Sequence, residues 1–334
     1  MPVRVSMRKI AEVAGVSVAT VSHVLNNRSN VCTEATAERI RKVASELGYR
    51  VNFGYKLMHS IPTRTVAVLA ATEYGSNKEY IRELTLRLLT EFGNNGYAAY
   101  FCTLPLSETA GRAKVDEFLA RGVENFVFIG MPLGVEQIVK DIEAAGAGMI
   151  FNSAFKNHRY VASDSASAVT EQLKYLRQQC GEDFRFFCSQ STISGRDDRA
   201  EALRRTFPEL EFPEIIRRFT IETPSEGMID ENYFEVIFNQ SRTQTRELLC
   251  EQPHIRGLAY TNDIAAMGGA TAVMALGRTD CIISGFNGDH AAVNFPYPII
   301  TARPDIGELV KLLACNAISK DPCQILVMPK LLFP

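Results

Sequence analysis

Residues 7–26 read MRKIAEVAGVSVATVSHVLN, and the spacing of apolar and punctuating residues in this stretch decides how the chain begins. Ser6 stands as an N-cap before Ile10, Val13 and Ala14, which recur at i, i+3 and i+4 and predict one apolar helix face ending at Gly15. Ser17 is placed to cap a second helix after the Gly15-Val16 turn. In that helix Val21, Val24 and Leu25 share one side, leaving Val18, Ala19, Ser22 and His23 outward. A third helix is expected from about Thr33, with Ile40, Val43, Ala44 and Leu47 at helical spacing and Gly48 as its stop. Two helices joined by a tight glycine turn and closed by a third form a helix-turn-helix unit. Such a unit suits DNA: a helix fits the major groove, small outward side chains let it approach closely, and hydroxyls near its N-terminus bond phosphate oxygens.

Charge points the same way. The 334 residues carry a formal net charge of -2, but residues 1–64 hold ten Lys and Arg against four acidic residues, a local +6, and the remainder is -8. A small basic head on a large acidic body suggests a polyanionic partner for the head, the alternative being a solvated charged face.

The string as a whole closely resembles the DNA-binding head of the LacI/GalR family of bacterial transcription regulators, whose pattern is A-x-x-A-G-V-S followed by T-V-S-x-V-L-N. Ala11, Ala14, Gly15, Val16, Ser17, Thr20, Val21, Ser22, Val24, Leu25 and Asn26 stand at matching positions. The resemblance implies that Val18, Ala19 and His23 read base edges and that Ser17, Thr20, Ser22 and Asn26 contact phosphates. Two positions depart from the pattern. Lys9 replaces a common acidic residue, which removes the acidic half of a capping box with Ser6, and His23 replaces the more usual Arg, a stronger donor to guanine.

After Gly48-Tyr49 the family continues with a hinge that becomes helical on operator DNA and drives a leucine into the minor groove. Register places Met58 at that wedge position, Lys56 at an Arg position and Tyr55 at a small-residue position. Gly54 disfavours a helix here, and a plain flexible connector is the alternative.

From Thr65 onward strand-like and helix-like stretches alternate. Strands are expected at 65–71, 97–103, 125–129, 149–151, 184–188, 257–260 and 281–285, and helices at 79–94, 112–121, 135–145, 166–180 and 197–206. Alternation of this kind implies parallel sheets with right-handed crossovers, and a segment of this length suits two α/β lobes. The resemblance extends over the body more weakly and implies two lobes like those of a periplasmic sugar-binding protein, with a ligand between them. The expected organisation is a helix-turn-helix domain at 1–50, a hinge at 51–64 and a two-lobed effector-binding and dimerisation domain at 65–334.

Carried over residue by residue, the resemblance places Asn152, Arg199, Asn262 and Asn287 at effector-contact positions, with Glu73 and Tyr74 on the first loop. Asn152 and Asn287 stand where sugar-binding members commonly have Asp. With Arg199 retained, this favours an anionic ligand, such as a sugar acid or sugar phosphate, over a neutral sugar. A surface ion pair for Arg199, and turn formation or capping for the asparagines, are the structural alternatives.

Composition excludes several other classes. No apolar stretch nears the roughly 20 residues of a membrane span and the start lacks an apolar signal core, so a cytoplasmic protein is expected. Eight scattered cysteines form no CxxC pair and have no histidine at ligand spacing, so neither a metal site nor a cofactor is expected. There is no P-loop and no GxSxG elbow, and Gly146-Ala147-Gly148 precedes a strand rather than following one. The sequence therefore reads as a non-enzymatic, ligand-responsive repressor that binds a pseudo-palindromic operator as a homodimer; the end at Leu331-Leu332-Phe333-Pro334 shows no tetramerisation heptad. The competing readings are an α/β ligand-binding protein or enzyme with a vestigial head, and an effector-free activator or nucleoid-type DNA binder.

Overall fold

The structure, a computed structural model, describes residues 5–25, 32–49, 61–71, 79–105, 107–190, 198–209, 215–220 and 233–334, with side chains described for all of these except 189–190, 198–200, 217–220 and 233. The chain divides into two compact units, Met1–Thr63 and Arg64–Pro334.

Within the first unit, α1 (Met7–Ala14) starts at Ser6, whose hydroxyl accepts from Lys9 N at 3.3 Å, so the serine half of the cap persists without an acidic partner. The helix ends at Gly15, held at φ 63° with its N–H on the Ala11 carbonyl, a left-handed turn that glycine adopts without strain. The buried face of α1 is Ile10, Ala11 and Ala14, and Val13 is 52% exposed, contrary to the expected apolar face. At 3.6 residues per turn Ala11 and Ala14 lie to one side of Ile10 and Val13 to the other, and the neighbouring helices cover the former side. Val21 and Val24 of α2 (Val18–Leu25) and Ala37, Ile40, Val43 and Ala44 of α3 (Glu34–Glu46) complete this small core. Thr33 caps α3, and Gly48 at φ 66° ends it with Tyr49 N bonded to Ala44 O at 2.8 Å.

The second unit is built on two six-stranded sheets. In the first, β1 (Thr65–Ala71) lies between β2 (Ala98–Thr103) and β3 (Asn125–Gly130), followed outward by β4 (Gly148–Phe151), β5 (Tyr160–Ser163) and β11 (Gln324–Val327), all parallel. The second has the order β12-β10-β9-β8-β6-β7, comprising β6 (Phe184–Gln190), β7 (Ile216–Thr220), β8 (Gly257–Tyr260), β9 (Ile282–Phe286), β10 (Ile299–Arg303) and the antiparallel β12 (Lys330–Leu332). Helices cover both faces of each sheet, which is why the central strands are apolar on both sides. In β1, Val66, Val68 and Ala70 enter one core and Ala67, Leu69 and Ala71 the other.

The covering helices of the first lobe are α4 (Glu79–Asn94), α5 (Glu108–Ala120) and α6 (Val135–Ala144); those of the second are α7 (Ser165–Cys180), α8 (Asp198–Thr206), α9 (Tyr233–Glu251), α10 (Asp263–Ala275) and the short α11 (His290–Val293). The last helix, α12 (Ile306–Ser319), returns to the first lobe, where Leu309, Val310 and Leu313 pack in its core. The chain therefore passes between the lobes at Ser163–Ser165, Arg303–Ile306 and Val327–Lys330. These passages put the carboxyl ends of the first lobe's strands beside the second lobe, where open α/β sheets bind ligands.

Candidate nucleic-acid interface and ligand cleft

The start of α2 carries the expected DNA-reading residues in exposed positions. Ser17, Val18 and Ala19 are exposed, with Val18 at 45%, while Thr20, Ser22 and His23 are half-buried along the helix. The Ser17 hydroxyl accepts from Thr20 N at 3.0 Å and bonds the Thr20 hydroxyl at 2.8 Å, so the two phosphate candidates form one polar cluster at the helix N-terminus. The outward face is small and neutral, and it approaches a surface closely at low desolvation cost. Lys9 bonds Glu12 at 3.1 Å, Arg41 bonds Glu34 at 2.8 Å and Lys42 stands 3.9 Å from Glu46. Among the described residues of the head, Arg8 and Arg39 make no ion pair. Asn26, Lys56 and Met58 lie outside the described residues.

Between the lobes of the second unit lies a cavity of about 450 Å³, walled on one side by Tyr80, Ile129, Asn152 and Ser163 and on the other by Glu201, Arg205, Phe286 and Asn287. A neighbouring, more polar cavity of about 320 Å³ shares Tyr80, Asn287 and Pro304 with it and reaches Glu79, His290 and Arg303. Asn152 is buried at the end of β4; its amide oxygen accepts from the Tyr80 hydroxyl at 2.9 Å and its nitrogen donates to Val161 O at 3.0 Å. Asn287 follows β9 at φ 120° and lines both cavities.

The turn after Asn287 is held from behind. Asp263, fully buried on the first turn of α10, accepts from Asp289 N at 2.7 Å and from the Thr301 hydroxyl at 2.7 Å, and Thr301 accepts from Gly288 N at 3.0 Å. A carboxylate at a helix N-terminus is favoured there by the helix dipole. Arg303 donates twice to Gly288 O, and from the first lobe Glu79 accepts from His290 N at 3.1 Å.

Of the expected effector residues, the structure brings Asn152 and Asn287 to the same cavity. Asn262 lines neither cavity: its amide oxygen caps α10 by accepting from Ala265 N at 2.9 Å, the structural alternative for that residue. Arg199 lies on α8, whose Glu201 and Arg205 line the cavity, but its side chain, like Glu73 and Tyr74, lies outside the described residues. Among the described residues no group of three His, Cys, Asp or Glu is arranged to hold a metal ion, and no helix is long and apolar enough to cross a membrane.

Residues 6–52 match the family described as bacterial regulatory proteins, lacI family. The head is thus similar to that of lacI-family regulators. The ribose operon repressor of Halalkalibacterium halodurans is 23% identical over 326 residues, 95% of this chain and 91% of its own length. The crystal structure of the lac repressor dimer bound to operator and the anti-inducer ONPF is similar with a TM-score of 0.76 and 17% identity, covering 99% of this chain and 98% of that one. An ABC sugar transporter subunit from Rhodobacter sphaeroides 2.4.1 covers 81% of this chain and 98% of its own with a TM-score of 0.64 and 15% identity. The likeness to the lac repressor structure thus spans both units, and most of the chain shares its fold with a transport protein.

Sequence reasoning passed over Tyr80 and Ser163 in this cleft. Tyr80 lies in a helix pattern legible from Ile81, Leu84, Leu88 and Leu89, one step off its apolar face, and the strand that ends at Ser163 is only four residues long. Neither carries a motif; position beside Asn152 in the cavity is the only signal.

Proposed function

We propose that this protein is a ligand-responsive repressor that binds a pseudo-palindromic operator as a homodimer and senses a small polar molecule in the interlobe cleft. The observation that carries this reading is the pairing of an exposed Ser17-Val18-Ala19 helix start with a two-lobed body that encloses a cavity. On this reading residues 1–50 bind DNA, 51–64 form the hinge, and 65–334 bind the effector and dimerise. Relatives named as a ribose operon repressor, GalR and TreR support a role in genes of sugar use and argue against an enzyme.

The walls of the cavity favour a neutral ligand. The charged side chains in its described lining are Asp164, Glu201 and Arg205, and Arg205 lies 3.4 Å from Glu201 with 75% of its side chain exposed. An anion there would meet two carboxylates and a guanidinium already partnered. The expectation of an anionic ligand rested on Arg199 together with Asn152 and Asn287 in place of Asp; the described groups lining the cavity support a neutral polyhydroxylated molecule instead.

The test is a footprint of the full chain on the DNA flanking its own gene, with and without neutral sugars, sugar acids and sugar phosphates. A protected pseudo-palindrome released by a neutral sugar is the expected result. Absence of any protected site, with ligand binding intact, would favour the ligand-binding-protein reading, and protection indifferent to every ligand would favour an effector-free DNA binder.

A further inference from the structure

Among the described residues, one hydroxyl in the cleft wall is buried and unpartnered. Ser163 ends β5, opens the first passage between the lobes and lines the larger cavity, yet its hydroxyl oxygen is buried without a hydrogen-bond partner. Two polar groups beside it are engaged: Asn152 bonds Tyr80 and Val161, and Asp164 caps α7 by accepting from Ser167 N at 3.0 Å. A buried hydroxyl left unpaired costs as much as a lost hydrogen bond, and serine at a strand end ordinarily avoids that cost by bonding nearby backbone. Ser163 does not, and it sits at the carboxyl edge of a parallel sheet, where ligands bind.

We propose that Ser163 is a ligand-contact residue of the cleft, its hydroxyl completed by an oxygen of the bound molecule. The proposal rests on the reading of the cleft as the effector site. Rotation about one side-chain bond moves the hydroxyl relative to the cavity without disturbing the strand. Serine both donates and accepts, so its natural complement is a hydroxyl group, which also does both. Among the described residues Asn152, at the end of the adjacent strand, donates one of its two amide hydrogens, to Val161 O, so the same rim offers a further donor. A ligand bearing neighbouring hydroxyls on the face it turns to the first sheet fits both.

The test compares the full-length parent with Ser163→Ala by calorimetry against D-ribose, D-galactose, D-gluconate and D-ribose 5-phosphate, alongside thermal unfolding without ligand. The expected result is that a neutral sugar binds the parent and binds the variant about tenfold more weakly, while the ligand-free unfolding midpoint does not fall. Equal affinity in the two proteins overturns the proposal and leaves the cleft reading intact, because it shows the hydroxyl is not completed by ligand. A midpoint lowered by several degrees also overturns it, since the hydroxyl would then serve the fold. Failure of all four probes to bind the parent overturns the cleft reading for these classes, and the proposal with it.

Discussion

The Tyr80 hydroxyl donates to the Asn152 amide oxygen at 2.9 Å while the Asn152 nitrogen donates to Val161 O at 3.0 Å, so one buried amide joins α4 to two strands of the first sheet. Only an amide can serve both partners. A carboxylate keeps the first bond but sets an oxygen against the Val161 carbonyl oxygen with no proton between them. Asn152→Asp, which installs the residue common in sugar-binding members, is therefore expected to lose about 1–3 kcal/mol of stability at neutral pH, and Tyr80→Phe about 1 kcal/mol. Urea unfolding of both variants checks this; an Asn152→Asp protein as stable as the parent would mean that the amide is not locked.

Asp263 is a second buried anchor, holding Asp289 N and the Thr301 hydroxyl behind the turn that carries Asn287. In Asp263→Asn one oxygen becomes an NH₂ facing a donor. We expect a stability loss of roughly 1.5–3 kcal/mol, the usual worth of a hydrogen bond to a charged group, and faster amide exchange at Gly288 and Asp289. Unchanged exchange at these two amides would show that Thr301, Arg303 and Glu79 fix the turn without the carboxylate.

Two glycines separate crowding from backbone strain. A Cβ on Gly268 of α10 would lie under 3.0 Å from both the Ser241 hydroxyl and the Phe238 backbone oxygen of α9, so the helices must part. A Cβ on Gly15 meets nothing within 4 Å, and only its left-handed φ of 63° opposes it. Gly268→Ala is expected to cost about 1–3 kcal/mol or more and to lower the stability of the body; Gly15→Ala should cost about 1–2 kcal/mol, felt by the head alone. Separate monitoring of head and body by proteolysis and thermal melting distinguishes them.

Alkaline pH should weaken the second lobe. Burial pushes the Cys281 thiol up to about 11 from its ordinary 9.0 and raises the Tyr260 phenol as well. The folded state thus holds these protons more tightly than the unfolded chain does. The thiol's contribution is complete below about pH 9 and is lost as pH rises toward 11, at up to about 1.4 kcal/mol per pH unit, while the phenol's loss begins above about pH 10. Cys281→Ala should flatten the fall in unfolding free energy between pH 9 and 11; an identical slope would place the titration elsewhere.

Much of this architecture is legible in the sequence, and the exceptions have physical causes. The helix at 79–94 and the strand at 257–260 follow from apolar periodicity and short β-rich runs. The helix α10 was not legible because Ile264, Ala266, Met267, Ala270 and Val273 are buried on every side, leaving no amphipathic signature, with Gly268 and Gly269 adding a false turn signal. The strands β11 and β12 are three or four residues long at sheet edges, interrupted by Pro329, and are defined by long-range pairing with β5 and β10. Asn152 and Asn287 could be placed at the cleft by resemblance, but Asn262 shows the limit of that route: whether an asparagine after a strand contacts ligand or caps a helix depends on where its amide points.

The head is expected to supply nearly all the affinity for DNA, because its local charge is +6 whereas the body carries -8 and is repelled. Affinity should fall steeply with salt, the logarithmic slope being about -0.9 per phosphate neutralised. Within the head, Ser17 and Thr20 present hydroxyls at the start of α2 and should set affinity evenly across sequences, while Val18 and Ala19 offer only apolar contact and leave His23 as the polar reader. Ser17→Ala, which also removes the bond to Thr20 N, should therefore weaken binding to all operators alike. His23→Arg should shift the preferred base at one operator position, toward guanine. Selection from a randomised site measures both effects. An unchanged preference in His23→Arg would remove His23 from the reading face, and tight promoter binding by a chain lacking residues 1–60 would move the interface out of the head altogether.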